Sequence, residues 1–165
     1  MAAISNSSPL ILYAQIGRLE LLHSLFDEVF VPPAVWREVV TASHDRVGAI
    51  EVRQAGWIVH VPLPDPGLPP LLANLDPGEA EAIALASSFR PEVQILLDDR
   101  RARRVARNLG LKVVGSAGVL GLAKDVGLIS AVRPVLFDLR SAGLFLSEGT
   151  VRELLRISGE SSTGD

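Results

Sequence analysis

The chain has 165 residues, 48% hydrophobic and 21% charged, with 16 Lys and Arg against 19 Asp and Glu for a formal net charge of −3. That balance fits one globular domain with a real core; it excludes a disordered chain and a generally basic nucleic-acid-coating protein, but not local basic patches. With no cysteine, disulfides, thiolate zinc sites and cysteine nucleophiles are excluded. No apolar stretch nears the roughly 18 residues of a membrane span and no signal-peptide pattern opens the chain, so a soluble cytoplasmic protein is expected.

In chain order, residues 2–4 form a short strand that runs into Ser5-Asn6-Ser7-Ser8 and Pro9. Ser and Asn are favoured helix caps and Pro suits a first helical turn, so this polar cluster reads as a cap. It also reads as one wall of a site, because ligands of α/β domains sit at strand tips. Apolar spacing predicts helix over 8–26 broken at Gly17, strand over 28–32, helix over 32–43, a short helix over 48–56 and strand over 57–63. The proline-rich stretch 64–78 is a connecting loop. Helix follows over 78–89, strand over 92–99 ending in Asp98 and Asp99, an arginine-rich helix closed by Gly110, strand over 111–116 and helix over 117–127. Residues 131–158 read as two helices joined by a turn, the second starting at Ser147 with Glu148 behind it. Short apolar strands alternating with helices predict a parallel sheet covered on both faces, in one domain over 1–160 with a disordered tail at 161–165.

The residues placed for chemistry are Asn6 by position, Glu38, Glu79 and Glu81 at one helix start, and Asp98 and Asp99 at a strand exit. Two or three gathered carboxylates repel unless a cation neutralises them, and a hard cation such as Mg²⁺ prefers oxygen ligands. Taken singly, each acid has a structural reading as a helix-dipole partner, a turn residue or a solvated position. His23, His44 and His60 are scattered and make no metal-ligand spacing. Five arginines follow within residues 98–110. Arg100, Arg103, Arg104 and Arg107 lie near one helix face, to contact phosphates or to pair locally with acids at the surface. Neither a GxGxxG turn nor a P-loop occurs, so a phosphate-binding α/β protein built on Gly115-Ser116-Ala117-Gly118 ranks last.

The order SNSSPLI, VFVPPAVWREVV, LDPGEAEAIALA and ILLDDRRARRVARNLGLKVVGSAGVL resembles the PIN-domain superfamily, in a branch catalogued as a prokaryotic domain of unknown function, over about Ile4 to Glu160. The resemblance implies a three-layer α/β/α sandwich with a central parallel sheet. It implies a metal-dependent endoribonuclease, a phosphodiester hydrolase using Mg²⁺ or Mn²⁺, of the kind found as the toxin of toxin–antitoxin pairs. Carried over by position, its site falls on Asn6, Glu38, Glu81 and Asp99, with Asp98 as a further acid and Ser8 as the hydroxyl beside the first. RNA and a small antitoxin are the implied partners, a homodimer is compatible with it, and no membrane is involved. Asn6 departs from the pattern, which has an aspartate there; an amide oxygen brings no charge to a cation. The alternative reading is therefore a catalytically weakened module that binds nucleic acid or a partner.

Overall fold

In the computed structural model the described residues are 1–41, 47–89 and 92–160. His44 and the tail expected to be disordered lie outside them. Five strands form one parallel sheet: β1 (Ala2–Ser5), β2 (Glu28–Val31), β3 (Ile58–His60), β4 (Val93–Leu96) and β5 (Lys112–Val114), in the order β3-β2-β1-β4-β5. Strand β1 is central, with Ile4 opposite Phe30 on one side and Ile95 on the other.

Side chains alternate across each strand, and here the alternation feeds two cores. Ala3, Val29, Val31 and Leu96 face one layer with α1 (Ser7–Gln15), α2 (Leu19–Leu25), α7 (Ser116–Asp125), α8 (Val132–Ser141) and α9 (Glu148–Ile157). Ile4, Ile95 and Leu97 face the other, with α5 (Pro77–Ser88) and α6 (Arg100–Asn108). Both layers are dry at the centre: Ile4, Ile95, Leu96 and Leu97 are fully buried. Truncating any of the leucines to Ala costs about 2–5 kcal/mol. The result is a PIN-like α/β/α sandwich.

Three local features depart from the sequence reading. The helix expected over 32–43 is α3 (Pro33–Trp36) passing into a π-helical turn, Arg37–Thr41, before α4 (Ala49–Gln54). Within the proline-rich loop a 3₁₀ turn forms at Pro70–Leu72, where Leu72 is buried. Asn6 holds the N-cap position of α1, yet its side chain makes no capping hydrogen bond, so the cap explanation of the polar cluster fails.

At the far end, Ser147 accepts from the Thr150 N–H, as a helix start there requires. Glu160 fastens the last helix back onto the domain. Its Oε1 accepts from Lys124 Nζ and from the Val132 N–H, both at 2.6 Å, and its Oε2 from the Arg133 N–H at 3.0 Å. Burial raises this carboxyl, but those donors outweigh burial and hold it near 2.

Candidate active site

Because β2 and β4 flank β1 on opposite sides, the chain's direction of winding reverses between β1 and β4. A crevice therefore opens at their C-terminal ends. The Asn6 N–H extends the ladder by one step, donating to Leu96 O at 3.1 Å, and so seats the Asn6 side chain at the crevice mouth. There it is 9% exposed.

Opposite it the first turn of α5 comes close. A Cβ built on Gly78 would lie 2.9 Å from Asn6 Oδ1, 3.2 Å from Glu38 Oε2 and 3.3 Å from Val35 Cγ2. Gly78 is required here for close approach, and its backbone is the surface on which the amide oxygen and the carboxylate converge. The π-helical turn presents Glu38 to this point; such bulges recur at functional sites.

The neighbouring residue, Glu79, is the buried acid of the site. Its Oε2 accepts from the Asp76 N–H at 3.3 Å, closing the first turn of the helix. Burial first, then the charge of Asp99, with smaller contributions from Asp76 and Glu38, push its carboxyl up to about 7. The Asp76 N–H opposes them. Asp99 caps α6 through Oδ1, which accepts from the Ala102 N–H at 2.8 Å.

Glu38, Glu79, Asp99 and the Asn6 amide are thus brought together, whereas Glu81 is turned elsewhere. Its Oε2 accepts the Ala34 N–H at 2.7 Å, satisfying an open amide of α3 and tying that helix to α5. Two residues along a helix amount to about 200° of rotation, so Glu79 and Glu81 point to opposite sides. The signal that selects Glu79 is its place three residues after Asp76, in the first turn at the strand-end edge.

Asp98 is fully engaged as a fastener. Its Oδ1 accepts from the Ser116 N–H at 2.7 Å, and its Oδ2 from Ser116 Oγ at 2.6 Å and Ser8 Oγ at 3.2 Å. It joins the first turn of α1 to that of α7, and Tyr13 Oη reinforces the joint by donating to Ser116 O at 2.8 Å. Burial and the Asp98 charge push the Tyr13 phenol far above its usual value, so it stays a donor. The same carboxylate neutralises the amide end of α7, which disposes of an anion cradle at Gly115-Ser116.

The arginines of α6 divide. Arg100, Arg104 and Arg107 are exposed, but Arg103 is half-buried against Gly115 and Asp98, with its Nε shielded and unpaired. If Arg100 and Arg104 contact nucleic-acid phosphates, replacing them by Gln should flatten the salt dependence of single-strand binding by about 0.7 log–log units per lost contact. Arg103→Gln should change the melting temperature instead. Filter binding across a salt series, with thermal melts alongside, checks both.

Oxygen donors suited to a hard cation line the crevice. Among the described residues, no three Asp, Glu, His or Cys side chains stand close enough to form a metal-holding group. The donor types suit a divalent cation, and Glu38, Glu79 and Asp99, whose charges are coupled, are the carboxylates that would hold it.

A parallel sandwich with carboxylates at its winding reversal is the architecture of a PIN domain, a nuclease-type fold. A family model described as a PIN domain matches residues 2–160, and the chain belongs to the PIN-domain superfamily, in a family of the domain-of-unknown-function type. No match was found among curated proteins or among solved structures. No helix among the described residues is long and apolar enough to cross a membrane.

Proposed function

We propose that the protein is a metal-dependent endoribonuclease whose site comprises Glu38, Glu79, Asp99 and the Asn6 amide. The observation that carries this reading is the convergence of those groups around Gly78 at the strand-end crevice. A bound Mg²⁺ or Mn²⁺ supplies Lewis acidity toward a phosphate oxygen and makes water a better nucleophile. The three carboxylates would hold the cation, and Asn6 Oδ1 would add a neutral oxygen. Asp98, Ser8 and Ser116 keep the helix ends that frame the crevice in place. Arg100, Arg104 and Arg107 bind flanking phosphates and orient the strand. In the cleavage, a water oxygen bonds to phosphorus, the bond from phosphorus to the leaving oxygen breaks, and that oxygen takes up a proton.

From family membership we extend the proposal to a cytoplasmic toxin restrained by a small antitoxin. The exposed rings of Phe137 and Phe145 favour a protein partner, whether that antitoxin or a second copy. Asn6 supports a second reading, in which catalysis has weakened and the chain acts by binding nucleic acid or a partner. Calorimetric titration of Mn²⁺ into wild type and Glu38→Gln, with cleavage of single-stranded RNA followed in parallel, separates the two. Saturable binding that Glu38→Gln weakens, with cleavage abolished by chelator, supports the enzyme. Metal binding without cleavage supports the binding module, and no metal binding overturns the site.

A further inference from the structure

We propose that Trp36 and His60 form a stacking platform for an unpaired base of RNA beside the acid cluster. The proposal rests on the nuclease reading and names how that site would grip the nucleotide next to the one it cuts.

The two rings lie almost parallel, 3° apart in plane with centroids separated by 5.4 Å. Trp36 is half-buried and packed against the larger core, while His60 is exposed. The imidazole is therefore the outer plate of the stack, held flat by an indole that the core itself holds. A flat ring fixed before binding loses little freedom when a base stacks on it, and every base has a face to offer.

Its position matters more than its chemistry. His60 ends β3, opposite Val31 of β2, so it lies on the same sheet edge as Asn6 at the end of β1. Two strand spacings, about 10 Å, separate those strand ends. Trp36 ends α3 and Glu38 follows two residues later in the π-helical turn, a spacing that turns the two side chains to different sides of the segment, so the place of His60 at the strand-end edge is what brings the platform near the acids. Exposed Arg37 lies between them in sequence, available to a phosphate. A second pair of the same composition provides the contrast. His23 and Trp57 stack at 4.9 Å, but Trp57 immediately precedes β3, at the opposite edge of the sheet from the acids.

The test uses the full chain in EDTA, so that no RNA is cut, with Trp57→Phe so that Trp36 alone emits. The probes are a short single-stranded oligoadenylate and an abasic strand of equal length. Saturable quenching of Trp36 by oligoadenylate is expected, with weaker binding of the abasic strand. His60→Ala should weaken oligoadenylate binding by about 5- to 100-fold and remove the preference over the abasic strand. His23→Ala should bind as its parent does. Equal affinity for the two strands, an unchanged His60→Ala, or no binding of oligoadenylate overturns the platform. Mn²⁺-dependent cleavage by wild type, measured separately, shows whether the nuclease reading survives that result.

Discussion

Replacing Glu79 by Gln is expected to abolish RNA cleavage, by more than about 100-fold, and at the same time to stabilise the metal-free protein at neutral and higher pH. The second effect follows from the carboxyl's two environments. Its ordinary value is 4.5 and its folded value is about 7, so between those limits the native state holds a proton that the unfolded chain releases. Metal-free stability should therefore fall as pH rises through this window. Glu79→Gln cannot ionise and should lack that part of the slope. In a chain of this length the difference is several degrees of melting temperature at pH 8 in EDTA, and Mn²⁺ should reverse it by stabilising wild type alone. A variant that melts like wild type at pH 8 in EDTA would disprove the electrostatic clustering of these acids.

Asn6→Asp is expected to act in the opposite sense. The Asn6 side chain already faces Gly78 beside Glu38, so the substitution adds a charge where the oxygen stands and moves nothing else. Without metal, the new repulsion should lower the melting temperature and push Glu79 higher still. With metal, a charged oxygen replaces a neutral one, and Mn²⁺ affinity should rise about tenfold or more, with faster cleavage of single-stranded RNA. Titration calorimetry and a cleavage time course check the two arms. Unchanged affinity would mean that the Asn6 oxygen does not reach the cation.

The alternation of strand and helix was legible because period-two and period-3.6 patterns are local properties of the chain. Strand β4 was legible in another way, since the unbroken apolar run of Ile95, Leu96 and Leu97 between turn signals is what a sheet covered on both faces requires. The chemical identities at the crevice were less legible, because they depend on rotation and neighbours. Glu79 and Glu81 have the same composition and nearly the same place, and only the phase of α5 decides between cleft and anchor. Asn6 looks like a cap until the first turn of α5 is laid across it. The five arginines of α6 look alike until Gly115 and Asp98 arrive beside Arg103. The π-helical turn that carries Glu38 has no sequence signature, since one extra residue in a helical repeat alters hydrogen bonding but not composition.

The central position of β1 sets a timetable. Its first neighbour, β2, is made soon after it, but its second is β4, whose residue Val93 pairs with Ala2. At ordinary rates of synthesis, about 5–20 residues per second, the first strand waits roughly 5–20 s for that partner. Asp99 follows β4 by only a few residues. The opening segment, though translated first, closes into the sheet late, and Asn6, Glu38, Glu79 and Asp99 can meet only after more than half of the polypeptide has been made. A ribosome-bound nascent chain short of residue 99 thus carries pieces of the crevice but no assembled centre.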